Sequence, residues 1–287
     1  MWQCRIAPSL GGGFAGTPND VWGTDDYTDI ERPTVFFGLY GLPDFYTLWR
    51  HKGKKAILWC GSDITNFANG YWLGETEWEE KLDPKPLASW INRNCESYVE
   101  NEVEYEALKK LGIESKVVPS FLGDVDDYKV CYTPSDKPKV YSSVSGDEFI
   151  LYGWDKIPKL AKENPNIEFH LYGASDDLAV SEFFLDEKNN INFGSYGNVF
   201  RHGRVSQEQM NEEIKGMQGA LRLTEFDGAS EIIVKAMLWG QYAFSFIPYS
   251  GVDNVSDLHL LPYHEDANLV GRDWWLSNLN KYPWNEN

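Results

Sequence analysis

The sequence predicts an α/β protein built as two halves, each a mostly parallel sheet with helices on both faces. Three observations carry this. Short apolar runs alternate with amphipathic stretches of about ten residues, the pattern of strands joined by crossover helices. The alternation restarts after Tyr132–Lys137, a segment whose Pro, Ser and Asp read as a linker. Gly219–Gln241 then reads as a buried strand ending at Thr224, an acidic turn centred on Asp227–Gly228, and a helix closed by Gly240. The 287 residues suffice for two modest α/β domains.

In order, Trp2–Ala7 reads as a strand and is followed by a Gly/Pro/Asp-rich stretch to Pro33. Thr34–Leu39 is a short apolar strand, and Asp44–Arg50 a helix with Pro43 at its start, where a missing N–H costs nothing. Lys55–Cys60 is a strand, and a polar, Trp-rich region follows it. Pro86–Asn94, Glu102–Leu111 and Ser115–Pro119 read as helix, helix and strand. The second half gives strands at Lys139–Val144, Ile167–Tyr172, Ile191–Phe193, Ala220–Leu223 and Tyr242–Ile247. Its helices are Trp154–Glu163, Ser206–Met217 and Glu231–Trp239, with Ser206 and Gln209 spaced as a capping box and Ser230 as a cap. The expected domains are 1–134 and 135–265, with an aromatic tail, 266–287, packing back on the first. A cleft between two such domains is the usual place for a ligand.

Charge excludes some partners. Lys and Arg number 26 against 44 Asp and Glu, a formal net charge of −18. Such a surface repels phosphate backbones and anionic lipid, so nucleic acid is not expected. Cys4, Cys60, Cys95 and Cys131 have no ligand spacing and read as reduced thiols of a cytoplasmic compartment. No signal-peptide pattern and no membrane-length apolar run is present, and no zinc signature forms around the five histidines.

Several residues are candidates for chemistry. Gly11, Gly13 and Gly16 satisfy a dinucleotide-type spacing, but Thr17–Pro18–Asn19 follows where a helix should open. A glycine loop facing the cleft, including Gly12 and Gly13, is the functional alternative to an ordinary turn. Trp59–Asp63 closes a strand at the carboxyl edge of the sheet, where Ser62 and Asp63 are placed to hold a polar ligand or to cap a turn. His202 lies between Arg201 and Arg204, a local basic cluster suited to phosphate. His170 reads as a core or edge histidine. Arg222 ends an apolar strand and must reach an acidic side chain or an anion. Glu231 and Lys235 are four apart on one helix face, the spacing of an ion pair.

At these residues the sequence resembles retaining glycosyltransferases of the GT-B fold, of the glycosyltransferase family 4-like, Glu-x7-Glu type. The stretch LRLTEFDGASEIIVKAMLWGQYAFSF follows that layout: an acidic residue, a glycine-bearing turn, a second position eight residues on, then Ala-Met and Gly. Asp227 takes the first acidic position, with Gly228 after it, and Ala236, Met237 and Gly240 end the motif. His202–Glu213 resembles the segment before the motif, and Tyr98–Ser120 the end of the first domain. The likeness covers residues 97–247 and, more weakly, the amino-terminal part. Two departures stand out. Lys235 occupies the place of the Glu that holds the donor ribose, and an ammonium cannot accept hydroxyl hydrogens as a carboxylate does. Asp227 is one methylene shorter than the usual Glu.

The resemblance implies two Rossmann-like domains facing across a cleft, the first of them short. It implies transfer of a sugar from a nucleotide-sugar donor to a hydroxyl of a glycan or small-molecule acceptor, without cofactor or metal. Gly228, Ala229, Ser230, Glu231, Lys235, Arg201, Arg204 and Lys156 would meet the donor. Asp227 would hold the sugar, and Asp63, with Gly12, Gly13 and Ser62, would serve the acceptor side. The alternatives are a catalytically weakened sugar-binding or interaction protein of the same fold and a nucleotide-sugar epimerase.

Overall fold

The computed structural model describes residues 1–10, 14–71, 83–144, 149–173, 196–254 and 264–285. The chain forms two compact units. One comprises Met1–Asp124, Phe226–Ala229 and Asn278–Asn287; the other comprises Val125–Glu225 and Ser230–Ser277.

The first unit holds β1 (Gln3–Ile6), β2 (Asp25–Asp26), β3 (Thr34–Phe37), β4 (Lys55–Leu58), β5 (Cys95–Val99) and β6 (Lys116–Val117). They form one sheet in the order β2-β1-β3-β4-β5-β6, with every pair parallel. Its helices are α1 (Pro18–Trp22), α2 (Leu42–Arg50), α3 (Ser62–Ala68), α4 (Pro84–Asn94) and α5 (Glu102–Lys110). A parallel sheet needs cover on both faces, and the alternation within strands supplies it. Phe36, Ile57 and Val99 join one core with Leu48, Phe67 and Leu108. Val35, Phe37, Leu58 and Tyr98 join the opposite core with Trp22, Tyr282 and Trp284.

Three of these elements escape the sequence pattern. β5, Cys-Glu-Ser-Tyr-Val, is half polar and follows α4 with no turn residues between. α3 starts after Gly61, whose φ of +91° is a left-handed turn that no periodicity announces. α1 is a single short turn capped by Thr17, whose side chain accepts from Asp20 N.

The second unit holds β7 (Lys139–Ser143), β8 (Glu168–Tyr172), β9 (Val199–Gly203), β10 (Gly219–Arg222), β11 (Tyr242–Ser245) and β12 (Asp253–Asn254). Their order is β12-β11-β10-β7-β8-β9, again all parallel. Helices α6 (Ile157–Glu163), α7 (Gln207–Ile214), α8 (Glu231–Leu238) and α9 (Leu269–Asn278) complete the alternation. The unit begins at Val125, ahead of the boundary expected near residue 134. The reason is local: Tyr128 packs on Trp239 at 5.1 Å between ring centroids, and Cys131 N–H donates to Trp239 O at 3.0 Å.

The tail, expected as one segment, divides. Residues 266–277 lie with the second unit, where Trp275 is fully buried against Tyr249. Residues from Asn278 lie with the first, where Tyr282 OH donates to Val118 O at 2.7 Å and Trp22 Nε1 to Asn280 Oδ1 at 3.1 Å. The four cysteines are free thiols. Among the described residues, no helix is long and apolar enough to cross a membrane.

Candidate functional site

The turn Asp227–Ala229 joins the two ends of a strand–helix unit, and its placement is set by the first unit. Strand β5 delivers Glu100 and Asn101 at its carboxyl end. Asn101 caps α5, its Oδ1 accepting from Val103 N at 3.0 Å and Glu104 N at 3.1 Å. Its Nδ2 simultaneously donates to Asp227 O at 2.7 Å. Glu100 Oε2 accepts from Ala229 N at 2.8 Å, while its Oε1 accepts from the Ser120 hydroxyl. Gly228 lets the carboxylate close on the turn, because a Cβ at that position would run into Glu100 Oε2 and force it to shift. Asp227 itself is half-buried.

Acidic groups gather beneath this turn. Glu104 Oε2 accepts from Glu100 N at 2.7 Å, and its Oε1 is buried with no hydrogen-bond partner among the described residues. Burial pushes the Glu100 carboxyl up to about 7, against the stabilising hydrogen bonds from Ser120 and Ala229. Burial also drives Glu104 well above the carboxylate range, with the neighbouring Glu100 adding to the shift.

Asp63 sits in the same unit and is fully buried. Its Oδ1 accepts from Cys60 N at 3.0 Å and Ile64 N at 2.9 Å, and its Oδ2 from Leu39 N at 3.0 Å. One carboxylate thus ties the loops after β3 and β4 together at the carboxyl edge of the sheet. Burial raises its pKa to about 6 even against those amides. Gly61 brings this loop against the turn: a Cβ there would lie 3.2 Å from Gly228 N. The neighbouring Ser62 is exposed. Gly12 and Gly13 lie outside the described residues.

In the second unit the strand order reverses between β7 and β10, the switch point where open parallel sheets form a ligand crevice. Arg222 occupies it. The side chain is nearly buried, donates from Nη1 to Ser143 O at 3.2 Å, and lies 4.0 Å from the ring centroid of Tyr152. Gly153 packs directly on the backbone of the residue after Arg222, since a Cβ there would run into Leu223 O. Lys156 follows on a 3-10 turn, 3.3 Å from Asp155 and over the Phe246 ring. Arg201 and Arg204 stand in β9 and just after it.

Helix α8 differs from expectation at its start and agrees at its end. Ser230 holds the cap position but makes no side-chain cap bond. The Ala229 N–H, expected at a diphosphate, donates to Glu100 in this structure. Gly240 takes φ +71°, the left-handed close. Lys235 is buried and pairs with Glu231 at 2.6 Å, donating also to Asn211 Oδ1 of α7 at 3.1 Å. Gln207 Nε2 donates to the same Glu231 oxygen at 2.7 Å. At α7, Ser206 caps Gln209 N at 3.1 Å, but the Gln209 side chain bonds Glu213, so only half of the capping box forms.

Glu100, Asn101, Ser120, Glu104 and Tyr152 are not among the residues that motif and spacing point to in the sequence. Glu100 and Asn101 have one legible trace, a polar pair between an apolar Tyr-Val and a helical period. Ser120 has none, because its partner lies 20 residues away. His170 Nδ1 lies against His202 Nε2 at 2.8 Å across neighbouring strands, a pairing no local pattern in the sequence announces. Among the described residues, no group of three or more His, Cys, Asp or Glu is placed to hold a metal ion.

No protein-family model and no curated protein matches the sequence. Solved structures do. A TarM variant from S. aureus in complex with Fondaparinux, alpha-GlcNAc-glycerol and UDP is similar at a TM-score of 0.50 and 14% identity, over 87% of this chain and 49% of that one. Alr3699/HepE from Anabaena in complex with UDP is similar at a TM-score of 0.50 and 13% identity, over 85% of this chain and 69% of that one. The chain therefore spans about half the length of the TarM structure it matches. At this identity the likeness is one of fold, and the fold is GT-B: two parallel α/β sheets, each with its crossover helices.

Proposed function

We propose that the protein is a glycosyltransferase that moves a sugar from a nucleotide-sugar donor to a hydroxyl acceptor, with retention and without a metal ion. The observation that carries this reading is Arg222 at the switch point of the second sheet. A guanidinium placed there brings positive charge and a planar fork to the crevice, and such a fork suits a diphosphate. Charge on a departing nucleoside diphosphate is the term such a group stabilises most. Arg201, Arg204 and Lys156 supply further positive charge in the same unit. Asp227 accepts hydroxyl hydrogens of the donor sugar. Gly228 and the amides of Ser230 and Glu231 line the turn and the start of α8. Asp63, its oxygens occupied by three amides, serves through the loops it ties, with Ser62, Gly12 and Gly13 on the acceptor side. UDP is the nucleotide to try first, because both similar structures hold it.

The test is ligand-observed NMR of the full chain against UDP-, GDP-, ADP- and dTDP-sugars, with and without magnesium, followed by an acceptor screen. Specific binding of one donor, unchanged by magnesium and lost in D227A and R222A, is expected. An epimerised free donor would instead point to an epimerase. A second reading, a weakened protein that binds but does not transfer, is favoured by one observation. Lys235 is locked to Glu231 in the place where a ribose-binding carboxylate is expected. No binding of any nucleotide sugar at millimolar concentration would sink the transferase.

A further inference from the structure

The turn Asp227–Ala229 carries the residues assigned above to the donor sugar, yet its backbone is held at both ends by one dipeptide, Glu100–Asn101. Asn101 Nδ2 grips the Asp227 carbonyl at 2.7 Å, and Glu100 Oε2 grips the Ala229 amide at 2.8 Å. The grip is built rather than incidental. Glu100 is itself fixed by the Ser120 hydroxyl on its other oxygen, and its backbone N–H by Glu104 Oε2 at 2.7 Å. Gly228 and Gly61 leave no room for a side chain between the carboxylate, the turn and the loop after β4. Burying a carboxylate is costly, and this one is placed with its oxygens on the Ala229 amide and the Ser120 hydroxyl.

We infer that Glu100 is a positioning residue for the donor site: its carboxylate, with Asn101 beside it, sets the conformation of the Asp227–Gly228–Ala229 turn and so the aim of Asp227. The inference rests on the transferase reading for its ligand, but the clamp itself is a property of the protein alone. Glu100 does not touch the substrate. It accepts from the Ala229 N–H, so a neutral acceptor of the same shape should hold the turn, and loss of the acceptor should release it. The groups that face Glu100 are Glu104 from α5, Asp63 from α3, Asp227 from the turn, Cys60 from the loop after β4, Tyr40 from the loop after β3, and Tyr282 from the carboxyl-terminal segment. Burial, with a smaller push from the like charges of Asp227 and Asp63, disfavours ionisation of Glu100 and raises its carboxyl to about 7.

The experiment follows the Ala229 amide in full-length protein labelled with 15N-alanine, across pH 5.5 to 8.5 (a range of about three units chosen to bracket an unperturbed and a raised carboxyl), in wild type, E100Q and E100A. In the wild type the Ala229 resonance should titrate with a midpoint near the raised Glu100 value, about 7. In E100Q it should stay near its hydrogen-bonded position and not titrate, and in E100A it should move to that of an unbonded amide. Affinity for UDP-glucose and UDP-N-acetylglucosamine should fall about tenfold in E100A, the equivalent of one hydrogen bond, and stay within about threefold in E100Q. S120A, which frees one Glu100 oxygen without removing the clamp, should keep the titration and displace its midpoint upward, and it serves if E100A does not fold. An Ala229 resonance indifferent to E100Q at every pH would overturn the inference. So would equal donor affinity in wild type and E100A despite a released amide. Absence of donor binding by the wild type would overturn the transferase reading instead, and the amide titration, which needs no ligand, would still decide the clamp.

Discussion

Asn101 does two jobs with one amide side chain, and the two are separable by substitution. Its oxygen caps α5 and its nitrogen holds the Asp227 carbonyl. Asp in its place keeps the cap, since a carboxylate accepts the same two N–H groups, but cannot donate and adds a like charge beside Glu100. N101D is expected to lose about 1 kcal/mol of stability for the missing hydrogen bond, read by chemical denaturation, and to weaken donor binding. Gly228 is constrained from the other side. G228A drives a methyl into Glu100 Oε2, and the resulting shift should cost about 1–3 kcal/mol. The double variant G228A/E100A should recover part of that loss, because the offending oxygen is gone; strict additivity in the double-mutant cycle would refute the contact. The sequence shows the glycine and the turn. It does not show the carboxylate against them, which comes from 128 positions earlier (228 − 100).

At the scale of elements, helix caps separate what spacing implies from what packing allows. Ser206 and Ser230 both precede amphipathic helices, and spacing predicts a cap at each. Only Ser206 makes one. The Ser230 backbone follows a turn whose path is fixed by Glu100 and Asn101, and the side chain forms no cap bond. S206A should therefore destabilise by about 1 kcal/mol, whereas S230A should stay within about 0.5 kcal/mol of wild type by thermal or denaturant unfolding. Strands with strong apolar runs, such as β3, β4, β10 and β11, are legible as predicted. β5 and β9 are not, because their sequences, CESYV and VFRHG, mix polar and charged residues. Their strand state comes from pairing with β4 and β8, a neighbour's hydrogen bonds rather than their own pattern. β9 brings His202 to His170, and the bond between them needs one ring nitrogen as donor and the other as acceptor.

At the scale of the whole molecule, the two units are expected to answer pH with opposite signs. In the first, Asp63 and Glu100 are raised to about 6 and about 7 by burial, so the folded unit binds protons more readily than the unfolded chain. That contribution to stability is fully present below the unfolded carboxyl values and is lost as pH rises through 6 to 7. In the second, burial lowers His170 and His202, and the His202 charge adds to the shift at His170 despite Glu168 and Glu213 nearby. The folded unit there resists protons, so stability present above the unfolded histidine value is lost as pH falls below it. Hydrogen exchange of β4 and β5 should slow relative to intrinsic rates between pH 8 and pH 5 (about three units of change in proton activity), while that of β8 and β9 quickens. The same direction in both units would overturn this account.

The sequence by itself determined the α/β class, the two parallel halves, the strand–turn–helix at Gly219–Gln241 and the ion pair of Glu231 with Lys235. All of these follow from local period, glycine placement and side-chain spacing along one helix. Only the tertiary structure decided that Asp63 is occupied by three amides, that Arg222 stands at the strand-order reversal, and that Glu100 and Asn101 hold the turn. Those facts depend on which strands become neighbours. Pairing of distant strands is fixed by burying both faces of a whole sheet, a property that no local window of residues contains.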